Sequence, residues 1–253
     1  MRVGILLLAV FLTGVAASDP FSREALEKWS LGRAVQILNS SPWARTETFT
    51  RIVGGVGSGV SGEKEIFNTF YVRFLSARSV RAAYLRVQQI QHDYKNLAPQ
   101  EKASFDELTR ASLEMDVRNW IVVTVSFRSN DPNEESRVRQ FFESGATETL
   151  KNQAFLSSDS VSQVELAAYF PPQEESVGAK FVFPRLVGDR EVASDSTQHL
   201  TFELLELPGA GNPAANPGRG GRGSRAPRTT ETVGVLRATF SVPEMIVEGE
   251  LVL

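Results

Sequence analysis

The chain has no cysteine and only two histidines, His92 and His199, in 253 residues. Without a thiol there is no disulfide, no thiolate nucleophile and no Cys-ligated metal, so the fold rests on its apolar core. Neither histidine has a second histidine four residues away, as a helical zinc-ligand pair requires. No Gly-x-Ser-x-Gly elbow surrounds a serine, and no Gly-Lys-Ser/Thr phosphate loop occurs. Charge of one sign is lacking too: 27 basic residues face 30 acidic ones, a net charge of −3. That balance excludes a general polyanion binder.

Long apolar runs are absent except at the start. Arg2, the stretch "GILLLAVFLTGVAA" and the small residues Val15, Ala16 and Ala17 follow in the order of a secretory signal peptide. The run stops at Asp19 and Pro20, short of the roughly 20 apolar residues of a membrane-spanning helix. We therefore expect a signal peptide over 1–17, cleavage after Ala17, and a secreted or periplasmic protein with no transmembrane segment. Residues 18–253 suit a single α+β domain, with 155–160 as the alternative internal boundary.

Helical spacing predicts short helices at Phe21–Trp29 and Leu31–Leu38, stopped by "NSSPW" with Asn39 as a left-handed cap and Pro42 beyond it. Thr46–Val53 and Ile66–Leu75 read as paired strands. Val80, Tyr84, Val87, Gln91, Tyr94 and Leu97 mark a long helix, capped by Ser76 or Ser79, with Arg78, Arg81 and Arg86 on its solvent side. Pro99 opens another helix with a stripe of Phe105, Leu108, Ser112 and Met115. Asn119–Phe127, apolar on both faces, predicts a central strand. Asp131, Pro132 and Glu134 form a capping-box pattern for a helix that buries Val138, Phe141 and Phe142.

From Val161 the chain turns β, with runs at "VSQVELAAYF", "AKFVFPRLV", "HLTFELLEL", "VGVLRATFSV" and "MIVEGELVL". Pro184 marks its run as an edge strand or bulge. Helices in the first half and strands in the second predict an α+β fold with a largely antiparallel sheet.

"GSGVSG" (57–62) matches the Gly-x-Gly-x-x-Gly pattern, but the β-like, aromatic "EKEIFNTFYVRF" follows it instead of a helix, so we expect a hairpin loop. Neighbouring acids at Asp106-Glu107, Glu134-Glu135 and Glu174-Glu175 are explained by helix charge and solvation, since carboxylate chemistry needs two carboxyls facing across a cleft. Trp43 and Trp120 are expected in the core. No cofactor or metal is implied.

The segments "WSLGRAVQILNSSPWARTET" (29–48) and "FYVRFLSARSVRAAYLRV" (70–87) carry a Ser-Pro-Trp-Ala turn and an Arg-Phe-Leu-Ser-Ala junction. In these the chain resembles a family of exported proteins common in acidobacterial genomes, a family with no assigned activity. The resemblance implies export and a shared fold, and it carries over no catalytic residue.

Between two strand-like runs lies "PGAGNPAANPGRGGRGSRAPR" (208–228), rich in glycine and proline. The composition predicts a disordered hairpin insertion over 208–229. Its Arg219, Arg222, Arg225 and Arg228 form a candidate anion-contacting patch. Aromatic residues, on which nucleic-acid bases would stack, are missing from it, so no specific nucleic-acid partner is expected. The reading at this level is an exported, non-catalytic binding or interaction module for a protein or cell-envelope ligand. The alternative is an extracytoplasmic hydrolase whose carboxylates or serines meet only in the fold.

Overall fold

The computed structural model describes residues 26–53, 64–173, 178–211 and 233–253. After a 3-10 turn at Leu26–Lys28 come α1 (Leu31–Asn39), β1 (Ala44–Val53), β2 (Lys64–Phe74), α2 (Arg78–Gln91) and α3 (Pro99–Leu113). Next are β3 (Trp120–Ser129), α4 (Pro132–Ser144), α5 (Thr147–Leu150), β4 (Ala154–Ser158), β5 (Val164–Glu165) and β6 (Ala168–Phe170). The chain continues with β7 (Ala179–Pro184), β8 (Leu186–Val187), β9 (Arg190–Glu191), β10 (His199–Pro208), β11 (Val233–Ser241), β12 (Ile246–Val247) and β13 (Glu250–Leu251). The fold is α+β. One antiparallel sheet runs β1-β2-β3-β7-β6 and a second runs β11-β10-β4-β5.

Strand alternation sorts the first sheet into two unlike faces. Phe70, Val72 and Phe74 of β2 register with Phe127, Val125 and Val123 of β3, and Val123 and Ile121 register with Phe181 and Phe183 of β7. This face packs against Leu200, Phe202 and Leu204 of β10 and Phe240 of β11. The ring pairs Phe181–Phe202 and Phe74–Phe240 close the gap at 5.3 and 4.6 Å between centroids. Each such side chain, buried completely, contributes about 1.5–3 kcal/mol. The hydrophobic cluster is continuous from Trp29 to Leu253 and draws on both halves of the sequence. The opposite face, with Arg73, Val122 and Thr124, is covered at one end by α1 and α2. The two hairpin strands β10 and β11 pair as expected, with a bulge between Leu204 and Leu207 where Glu206 takes φ 54°. The expected start of the insertion at 208 is corrected, since Pro208 ends β10 paired with Val233 and 209–211 are described. Residues 212–232, with the four arginines, lie outside the described residues, as do the signal segment and "GSGVSG".

Several local expectations are corrected. Within Phe21–Trp29 the described residues form only the 3-10 turn. Asn39 is the last helical residue of α1 and not a left-handed cap; the helix closes through the Ser40 amide on the Gln36 carbonyl. Ala77, not Ser76 or Ser79, is the N-cap of α2, because Ser76 Oγ accepts from the Val122 amide instead. α2 ends at Gln91, since Asp93 turns left-handed at φ 50° and breaks the stripe before Tyr94 and Leu97. No residue of α3 is buried, and Leu108 is 79 % exposed. Trp43 is fully buried, but Trp120 is 41 % exposed at the end of β3. β7 is an internal strand, and Pro184 is tolerated because it lies two residues beyond the last one that β6 pairs with.

The largest correction concerns arginine. Arg81 and Arg86 are buried, not solvent-facing. Arg81 donates to the carbonyls of Leu75, Ser76 and Leu113, and Arg86 to the Trp29 carbonyl and Gln89. A guanidinium reaches past its own helix to chain-end carbonyls that have no intrahelical partner. Burial lowers the Arg81 pKa, and neighbouring Arg78 adds to this.

Candidate functional site

Where β7 begins opposite Val125, the last residues of β3 lose their neighbour on that side, and a groove opens. It has a volume of about 720 Å³ and lies between the outer face of β2 and β3, α2, α4 and the chain near Pro172 and Gly178. Tyr71 and Arg73 of β2 and Ser126 and Arg128 of β3 reach it because registered residues share a face: Tyr71 pairs with Ser126 and Thr69 with Arg128. Tyr84 enters from α2, and Glu135, Arg139, Phe142 and Glu143 from α4.

Arg73 is the unusual member. It is 6 % exposed, and among the described residues every hydrogen-bond partner of its guanidinium is neutral. Nε donates to the Leu38 carbonyl, Nη1 to Tyr84 OH (3.0 Å) and Ser126 Oγ (2.8 Å), and Nη2 to Asn39 Oδ1 (3.0 Å). The rings of Tyr71 and Tyr84 flank its Cζ at 4.9 and 5.6 Å, which offers cation–π attraction to a desolvated charge. Burial raises the Tyr84 pKa, so the phenol stays neutral beside the arginine. At the rim the Glu135 carboxylate is taken up by Arg128 (3.2 Å), Arg139 (3.6 Å) and the Ser129 amide.

The residues singled out from sequence stand elsewhere. His92 caps α2 and is exposed beside Phe105; His199 opens β10, with Nδ1 3.7 Å from Asp159. The Asp159 carboxylate accepts from the backbone amides of His199 and Gln198, which lowers its pKa. That pair is a strand-end fastening, with no serine hydrogen-bonded to His199 among the described residues. Glu134 is buried and not solvated as expected. Its oxygens take Arg51 and Arg137 at 2.5 Å each, so only the Asp131 half of the capping box forms. Asp106 accepts from Tyr94 OH on the surface, and Glu174-Glu175 lie outside the described residues. No group of three or more His, Asp or Glu side chains is placed to hold a metal among the described residues. Likewise no described helix is long and apolar enough to cross a membrane.

Sequence reasoning missed the groove. The sequence places Tyr84 on the stripe that marks its helix, and nothing in it singles out Arg73 within the strand Ile66–Leu75. Only the pairing register, which brings Tyr71 beside Ser126, and the fold of α2 over them make a site. Compared with family models, curated proteins and solved structures, the chain matches none.

Proposed function

We propose that this protein is an exported, non-catalytic binding module whose ligand enters the groove over Arg73. Export rests on the charged, apolar and small-residue order of residues 1–17. The observation that carries the binding reading is a buried guanidinium on the groove wall whose partners among the described residues are all neutral. Holding a cation out of water without a counter-ion is costly, and a bound anion or electron-rich group offsets that cost. A hydrolase would need a nucleophile beside its base or two free carboxylates across the groove. Here Glu135 is consumed by arginines, and the described lining offers no histidine.

The test is a thermal-shift panel of organic acids, sugars, amines and phosphates, with recovery of each compound afterwards. A ligand that binds only the folded state raises stability by about 2.7 kcal/mol at a hundredfold excess over Kd. We expect at least one class to raise Tm and to be recovered unchanged, with the shift lost in Tyr71→Ala. No shift from any class, or chemical conversion of the compound, refutes the reading.

A further inference from the structure

We infer that the ligand of this groove presents a single carboxylate to Arg73 and Ser126, an inference that rests on the binding reading above. Charge supports it first. Among the described residues the groove is lined by the cations Arg73, Arg128 and Arg139 and the anions Glu135 and Glu143, which leaves one positive charge in excess. The described charges of the lining thus favour a monoanion over a phosphate dianion. Donor geometry supports it second. Among the described residues four N–H groups of Arg73 are committed, to Leu38, Tyr84, Ser126 and Asn39, which leaves one N–H at Nη2. That arginine cannot fork around a phosphate.

Ser126 Oγ, by accepting from Nη1 at 2.8 Å, turns its own hydrogen away from the guanidinium. A hydroxyl and one arginine N–H in the same groove lining suit the two oxygens of a carboxylate. The walls agree: Tyr71, Tyr84 and Phe142 give the body of the ligand an aromatic surface. A carboxylate occurs on free organic acids and on peptide termini, and both are within this chemistry.

Benzoate and N-acetylphenylalanine serve as probes for those two sources, with benzamide as the neutral isostere and phenyl phosphate as the dianion. Titrations into the full chain are followed by amide NMR and calorimetry. We expect one or both carboxylates to bind with shifts centred on Tyr71, Ser126 and Arg128, and the tighter one names the source. Benzamide and phenyl phosphate bind at least tenfold more weakly, by about the worth of one charge-assisted contact. Arg73→Ala removes a tie to α1 as well and can unfold the chain, so Ser126→Ala is the decisive variant. It should weaken the carboxylate about tenfold with Tm within a few degrees of wild type. Benzamide binding as well as benzoate, phenyl phosphate binding more tightly, shifts elsewhere on the chain, or an indifferent Ser126→Ala overturns the inference. A sugar or amine hit in the thermal panel together with silent carboxylates overturns it while the binding reading stands.

Discussion

At Asp131 one carboxylate performs two tasks. Its Oδ1 accepts from the amides of Asn133 and Glu134 at the start of α4, and its Oδ2 holds Lys64 at 2.8 Å. Lys64, then those amides, hold its pKa below the usual carboxylate range. A depressed folded pKa means the stabilisation is fully present above the unfolded value, about 3.9, and is lost as pH falls through the folded value. Asp131→Ala should cost about 1 kcal/mol at neutral pH in urea denaturation, the worth of an N-cap. Asp131→Asn keeps the cap and should cost less, while flattening the acid limb of stability below that pH. Lys64 is half exposed, so the cap and not the ion pair dominates.

Among the elements, β7 depends on one glycine. Gly178 has φ +105°, and a Cβ there would lie 2.4 Å from the Val125 carbonyl oxygen, where β7 meets β3. Gly178→Ala should destabilise the fold by about 1–3 kcal/mol and distort the groove it borders. Gly188, at φ +61° with nothing within 4 Å of its Cβ, sets the comparison. Gly188→Ala should cost less, near 1 kcal/mol, since only backbone strain is at stake. A reversed order in denaturant midpoints would contradict this account. Strands such as β2, β3, β10 and β11 were legible because period-two patterning survives in any tertiary setting. The short β5 and β6 were legible only as the single run "VSQVELAAYF", and β4 was not read at all, since five residues carry too little pattern. The arginines of α2 were misread for a different reason. Helical periodicity reports where a side chain leaves the backbone, not how far a long one travels to find a carbonyl.

Across the whole molecule, the ends of the arginine-bearing insertion touch. A Cβ on Gly234 would sit 2.3 Å from the Ala210 carbonyl oxygen, so the chain leaves and re-enters β10 and β11 at one point. Replacing residues 212–232 with a short turn should therefore preserve the fold and raise stability by about 1 kcal/mol, the closure entropy saved on a logarithmic scale. A loss of stability in urea denaturation would mean the insertion packs on the domain. The fold class was readable from element order, whereas the groove depends on contacts between residues dozens of positions apart. The arginines have one more consequence, which concerns how the molecule comes apart. Arg45, Arg73, Arg81, Arg86 and Arg185 fasten α1, α2, β1 and the C-terminal strands to backbone carbonyls or neutral side chains. By contrast α4 is fastened by Asp131 to Lys64, Glu134 to Arg51, and Glu135 to Arg128. Guanidinium–carbonyl ties have no proton to gain in acid, but carboxylate ties do. Acid therefore loosens the protein at its two depressed aspartates, Asp131 at the start of α4 and Asp159 beside the start of β10, while the guanidinium–carbonyl ties of α1 and α2 hold.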